Sequence, residues 1–274
     1  MQTGYYSAAA GMVTQFNRLD VIANNLANVN TTGFKEDDVV IGDFSRLYKE
    51  ARDKLPHPNQ TKEGAKFLNR TLTKSPQIVD AFTNQSVGNM QKTDNTLDVA
   101  LSREGLFFAV KTPNGIRFTR DGSFSINDEG VLVTKQGYEV LPSDYLQTKE
   151  GKITFDSGTK DIIIDKNGKI STNIPQTAKF TSNAKLLIAQ PDNARLLVKE
   201  GDNLYRYDDL QSVKSVEESG AVRQGFVEKS NVNAVKMMTQ MIETNRLVEM
   251  YQKAMDTQMN EMNRDAIEKI AKKA

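Results

Sequence analysis

The chain contains no cysteine in its 274 residues. That excludes a disulfide framework and a thiolate metal site, and it makes stability independent of redox compartment. There is one histidine, His57, set between Pro56 and Pro58 in a polar stretch. A serine-histidine-aspartate triad or a multi-histidine metal site would have to rest on that residue alone, and it reads as a solvated loop residue. Neither G-x-G-x-x-G nor G-x-x-x-x-G-K-[ST] occurs, so no phosphate cradle is expected. Net charge is nearly absent too: 36 basic residues face 35 acidic ones, leaving +1, and neither nucleic acid nor an anionic membrane is an expected partner. No run reaches the roughly 18 apolar residues of a membrane span. Residues 1–12 lack both the basic n-region and the apolar h-region of a Sec-type signal peptide, so none is expected.

Glycine and proline are scarce at both ends. All seven prolines lie between Pro56 and Pro191, thirteen of the seventeen glycines lie between Gly64 and Gly225, and neither residue occurs after Gly225. Helix-compatible ends therefore bracket a turn-rich middle. The expected fold is α+β: N- and C-terminal helices forming a coiled-coil-like helical domain, with an inserted, mainly antiparallel β domain. The expected boundaries are residues 1–35 and 226–274 for the paired helices, 36–91 for a short helix and extended connector, and 92–225 for the β domain.

In the first helix, Tyr5, Ala9, Met12, Phe16, Leu19, Ala23 and Leu26 fall at alternating steps of four and three. This is the a/d seam of a coiled coil, and it requires a partner helix. Asn17, Asn24, Asn25 and Asn28 interrupt the same stretch, each costing up to about 0.7 kcal/mol of helix propensity relative to alanine. Asn17, Asn24 and Asn28 share one face, where carboxamides can bond to neighbouring helices; a solvated polar face with a ragged C-terminal end is the alternative. Asn30-Thr31-Thr32-Gly33 supplies the turn that stops the helix, with Phe34 as an apolar plug.

Phe226 to Ala274 is expected to be one long helix. Met237, Met241, Thr244, Val248, Tyr251, Met255, Gln258 and Met262 again alternate four and three, and Met238, Ile242, Met259 and Ala266 widen the stripe. Seven of the ten methionines lie here, and methionine adapts its shape to several partners.

Between the ends, Asp43 can cap a short helix carrying Phe44, Leu47, Tyr48, Ala51 and Leu55, ended by Pro56. Residues 57–91 read as an extended connector. From Leu97 the period becomes that of strands, with Asn114-Gly115 and Asn167-Gly168 as hairpin turns. Short strands are expected at 106–110, 116–119, 124–126, 131–134, 138–141, 153–155, 162–164, 184–189, 195–198 and 204–207, which suits an antiparallel sandwich or open barrel. Asp165-Lys166-Asn167-Gly168 starts like a calcium loop but lacks its second half and closing glutamate, so a hairpin turn is the reading. Arg120-Asp121 reads as a structural pair before a tight turn at Gly122.

The stretch Leu19-Asp20-Val21-Ile22-Ala23-Asn24-Asn25-Leu26-Ala27-Asn28-Val29-Asn30-Thr31-Thr32-Gly33-Phe34-Lys35 resembles the N-terminal signature of the bacterial flagellar axial proteins. Its wording is closest to the basal-body rod proteins of the proximal (FlgF) and distal (FlgG) types. Gln224-Gly225-Phe226-Val227-Glu228-Lys229-Ser230-Asn231-Val232-Asn233, Met241-Ile242 and Arg246 resemble the family's C-terminal helix, with Val248 where an aromatic commonly precedes the glutamate. Thr96-Leu97-Asp98-Val99-Ala100 and Thr119-Arg120-Asp121-Gly122-Ser123-Phe124 resemble the rod-protein β domain. Residues 101–107 depart from the usual glycine-rich wording, which favours the proximal type over the distal.

The resemblance implies a structural subunit that is not an enzyme and needs no cofactor or metal. It implies terminal helices in the inner core of the rod, a β domain in its outer layer, and a rod that passes torque from motor to hook. Its partners would be copies of itself, other rod and hook subunits, and the flagellar export apparatus, through which it would reach the periplasmic rod without a cleaved signal or membrane insertion. The expected assembly residues are the seam (Tyr5, Ala9, Met12, Phe16, Leu19, Ala23, Leu26), the asparagines (Asn17, Asn24, Asn25, Asn28, Asn231, Asn233) and Met241, Val248, Tyr251, Met255 and Met262. Two other classes compete: a secreted β-sandwich adhesin or lectin oligomerised by its helices, and a cell-wall hydrolase built on paired carboxylates.

Overall fold

The computed structural model describes residues 2–43, 76–148, 151–155, 161–173, 180–216 and 220–271. His57 and the short helix expected after Asp43 lie outside them. The chain divides into two compact units, one of residues 1–27, 37–82 and 233–274, the other of 28–36 and 83–232.

The first unit is built on α1 (Gln2–Ala27) and α2 (Ala234–Ala271), which pack against each other. A Cβ added at Gly4 would meet the Gln258 amide, one at Gly11 would meet the Tyr251 ring, and Asn25 reaches Met237. Each step forward along α1 is matched by an equal step back along α2, so the helices run antiparallel in a single register. Neither helix is long and apolar enough to cross a membrane. The unit also contains a two-stranded sheet of β1 (Asp37–Asp43) and β2 (Pro76–Thr83), β2 falling within the stretch 57–91 that the sequence suggested as a connector.

The long C-terminal helix starts later than expected. Phe226 to Glu228 is a strand, and Asn233 is the N-cap of α2, its Oδ1 accepting from Lys236 N at 3.1 Å. The cap satisfies one of the backbone donors that a helix start leaves free. Freedom from glycine and proline permits a helix without dictating where it begins.

The second unit is the β unit. Its strands are β3 (Met90–Lys92), β4 (Val99–Leu101), β5 (Phe107–Thr112), β6 (Gly115–Thr119), β7 (Phe124–Ile126), β8 (Leu132–Thr134), β9 (Glu139–Val140), β10 (Asp161–Ile164), β11 (Lys169–Asn173), β12 (Phe180–Lys185), β13 (Ile188–Pro191), β14 (Val198–Lys199), β15 (Leu204–Arg206), β16 (Val213–Ser215), β17 (Val222–Gln224) and β18 (Phe226–Glu228). Nine belong to one sheet, ordered β14-β15-β6-β5-β9-β8-β7, with β13 pairing both β5 and β16. β10, β11 and β12 form a three-stranded sheet, and β17 pairs β4 while β18 pairs β3. All of these pairings are antiparallel.

Both hairpins form where expected. Thr112 pairs with Gly115 across Asn114, and Ile164 with Ile170 around Asn167-Gly168. Asp165 Oδ1 accepts from Asn167 N and Lys169 N at 2.8 and 2.9 Å, which is turn chemistry. β5 lies at the centre because it is apolar on both faces. Phe108 and Val110 enter one core cluster, with Val99, Phe124 and Ile188, and Phe107 and Ala109 enter the other, with Phe118, Leu187 and Tyr205. An unbroken apolar run such as 106–110 is the pattern of a strand buried on both sides.

Candidate assembly faces and a buried charge cluster

The inward face of α1 is not the apolar seam read from its sequence. Its most buried residues are Gly11, Thr14, Gln15, Ile22 and Asn25, with Gly4, Ala8 and Arg18 half-buried. Gly4, Ala8, Gly11, Gln15, Arg18, Ile22 and Asn25 repeat the four-three alternation one residue earlier, a rotation of about 100°. The expected seam is thereby turned partly outward: Tyr5, Ala9, Met12, Leu19 and Leu26 are half-buried, and Phe16 and Ala23 are exposed. Packing decides this. Tyr251 is bulky, and it sits where α1 offers a glycine.

α2 presents the face its sequence suggests. Met237, Thr244 and Val248 are buried, and Met241, Tyr251, Met255, Gln258 and Met262 are half-buried. Outside this face, Val235, Met238 and Ile242 are exposed, with Met238 at 52% and Ile242 at 56%. On α1, Tyr6, Val13 and Phe16 are exposed on the side roughly opposite Gly4 and Gly11. Each helix therefore carries an outward apolar patch, at residues 6–16 of α1 and 235–242 of α2.

The asparagines divide by role. Asn17 and Asn24 are exposed and Asn28 is half-buried. Asn25 is buried and makes a reciprocal pair with Asp37, accepting from its N–H at 2.9 Å and donating to its carbonyl at 2.7 Å. Its carboxamide thus satisfies the backbone where β1 begins, which explains an asparagine inside a helix. Asn233 caps α2, while Asn231 accepts from Glu36 N at 2.7 Å and donates to Asn84 O at 2.8 Å.

In the β unit, sequence reasoning missed a cluster of three buried charges. Lys35, Glu228 and Arg120 have side chains no more than 1% exposed. Lys35 Nζ lies 2.6 Å from Glu228 Oε1 and donates to Ser86 O at 2.6 Å. Arg120 Nη2 lies 2.8 Å from Glu228 Oε2, close enough for an ion pair though not aligned as a hydrogen bond. The guanidinium donates to the carbonyls of Arg103, Leu106 and Leu101 at 2.9, 2.6 and 3.1 Å. Arg120 therefore pairs with Glu228 and not with its neighbour Asp121, whose carboxylate instead accepts from Ser123 N to shape the turn. Burial pushes both cations below their ordinary pKa, and Glu228 partly opposes this.

The residues around Lys35 are tied in by further hydrogen bonds. Gly33 N donates to Glu228 O at 2.8 Å, Asn203 Nδ2 to Thr32 O at 3.0 Å, and Lys199 Nζ to Lys35 O at 2.7 Å. Lys199 Nζ also sits 3.8 Å from the centre of the Phe34 ring, a cation–π contact. Phe34 is the plug its position suggested, 4% exposed. Lys35 and Glu228 gave no warning in the sequence beyond lying inside the two signature stretches.

Among the described residues no cluster of histidine, cysteine, aspartate or glutamate could hold a metal ion. The cations and the carboxylate of the buried cluster are closed off from solvent, so they hold the chain together and offer no reacting atom.

Three family models match in order along the chain: "Flagella basal body rod protein" over residues 6–35, "Flagellar hook protein FlgE/F/G D1 domain" over 101–172, and "Flagellar basal body rod FlgEFG protein C-terminal" over 223–268. The chain is 32% identical to the flagellar basal-body rod protein FlgF of Caulobacter vibrioides over 272 residues, 99% of each chain. It is 32% identical to FlgG of Agrobacterium fabrum, covering 91% of this chain and 93% of that one. It is 31% identical to FlgG of Borreliella burgdorferi, covering 95% and 96%. The two types match almost equally, so the comparisons support FlgF or FlgG without separating proximal from distal. Nothing in them supports an adhesin, a lectin or a hydrolase. The chain belongs to the flagellar basal-body rod protein family, as a structural subunit and not an enzyme.

Proposed function

We propose that the subunit polymerises into the rod through the outward faces of its terminal helices. The paired helices would form the inner core and the β unit the outer layer of a shaft that carries torque from motor to hook. The reading rests on one observation: α1 and α2 already pack against each other along their inward faces, yet Tyr6, Val13, Phe16, Val235, Met238 and Ile242 remain exposed. Burying each large apolar side chain is worth about 1.5–3 kcal/mol, and an outward apolar patch on each helix, toward opposite ends of the antiparallel pair, is what neighbouring helix pairs would cover in a coiled-coil manner. Further copies and other rod and hook subunits are the partners, and Asn17, Asn24 and Asn28 would set register between helices. The chain would reach the periplasmic part of the rod through the flagellar export apparatus.

The experiment compares Phe16→Asp and Ile242→Asp with the wild-type chain in a strain lacking it. Each variant should keep the monomer's thermal unfolding profile, because both side chains are exposed, and should fail to restore rods in isolated basal bodies. Normal rods from both variants would overturn the reading.

A further inference from the structure

Four separate stretches of the β unit meet around the Glu228 carboxylate. Residues 28–36 bring Lys35; residues 83–88 bring the Ser86 carbonyl, which accepts from Lys35, and the Gly88 N–H, which donates to Glu228 Oε1 at 2.9 Å. Strand β18 brings Glu228 itself, and the residue after β6 brings Arg120. Asn231 repeats the arrangement one step on, bridging Glu36, Asn84 and Ser86. Segments from near both ends of the chain are thus joined across 193 residues by the fully buried Lys35–Glu228 pair, with the half-buried Asn231 beside it.

The cluster holds two cations and one carboxylate. The carbonyls around Arg120 accept hydrogen bonds but cannot neutralise charge, and Glu228 is the carboxylate that both cations contact among the described residues. The two possible losses are therefore unequal. Without Lys35, a neutral Arg120–Glu228 pair remains. Without Glu228, two cations are left buried near each other, which is the costlier state.

We infer that Glu228 is a folding interlock: the β unit closes only when the segment following α1 and the strand preceding α2 are both in place around its carboxylate. The inference concerns the single subunit and stands whether or not the helices polymerise as proposed.

The test is hydrogen–deuterium exchange of the full-length monomer, wild type against Lys35→Met and Glu228→Gln. Lys35→Met should raise exchange at least tenfold in residues 28–36 while leaving β4, β5 and β6 protected. Glu228→Gln should raise it at least tenfold in residues 28–36, 83–88 and 99–120 together. A Glu228→Gln chain with no protected β unit, beside a Lys35→Met chain that keeps one, supports the interlock. Equal effects of the two substitutions, or a Glu228→Gln effect confined to residues 28–36, would overturn it.

Discussion

Gly11 of α1 lies directly against the ring of Tyr251 on α2, and a Cβ at residue 11 would stand 2.6 Å from Tyr251 Cε1. At Gly4, one register step away, a Cβ would meet only the end of the Gln258 side chain, also at 2.6 Å. Both glycines cost their helix about 1 kcal/mol relative to alanine. Gly4→Ala should recover that, because the Gln258 amide can swing aside, and leave the melting temperature unchanged or raised. Gly11→Ala must displace a ring packed between helices and should destabilise the pair by about 1–3 kcal/mol. Thermal unfolding followed by circular dichroism at helical wavelengths separates the two, and equal behaviour would show that Tyr251 does not set the helix approach.

Gln15 is buried on the inward face of α1, and its Oε1 has no hydrogen-bond donor among the described residues. A buried acceptor left unmade costs about 1–3 kcal/mol. Gln15→Met keeps the length of the side chain and removes the oxygen. It should raise the denaturant midpoint of the helical transition, and a lowered midpoint would mean the amide is satisfied in the native protein.

Gly33 has φ of 71°, and a Cβ there would collide with the backbone of Arg120 and Asp121. No rotamer change relieves a clash with backbone, and the left-handed conformation adds strain for any residue with a side chain. Gly33→Ala should therefore cost about 3 kcal/mol or more of β-unit stability, read from urea unfolding of the full chain. A loss below about 1 kcal/mol would mean that the turn can move away from Arg120.

Burial lowers the pKa of Lys35 in the folded protein, with Glu228 opposing and Arg120 reinforcing the effect. In the unfolded chain the residue titrates near the ordinary lysine value of about 10.4. Between the lowered value and that one, the unfolded chain binds more protons than the folded chain. Lys35's contribution to stability therefore rises with pH through this alkaline window and falls as pH drops through the lowered value. The stability difference between wild type and Lys35→Met should shift toward wild type as pH is raised toward 10.4. A difference flat with pH would show that Lys35 titrates normally in the fold.

Local pattern carried far along this chain. The heptad of α2, the two Asn-Gly hairpins and the doubly buried strand β5 were legible because each depends on spacing within one short segment, where period and turn chemistry act directly. The signature stretches likewise determined the family. What tertiary packing decided is which way those segments face and what they meet. α1 carries two heptads one residue apart, an apolar one and a small, polar one; the second faces inward, where Gly11 admits the bulk of Tyr251 and Asn25 reaches Asp37. The start of α2 shifts to Asn233 because residues 226–228 are needed as the partner of β3. The meeting of Lys35, Arg120 and Glu228 is a property of three distant positions at once, and a charge's partner is set by whatever burial brings within about 3 Å of it, which no spacing along the sequence encodes.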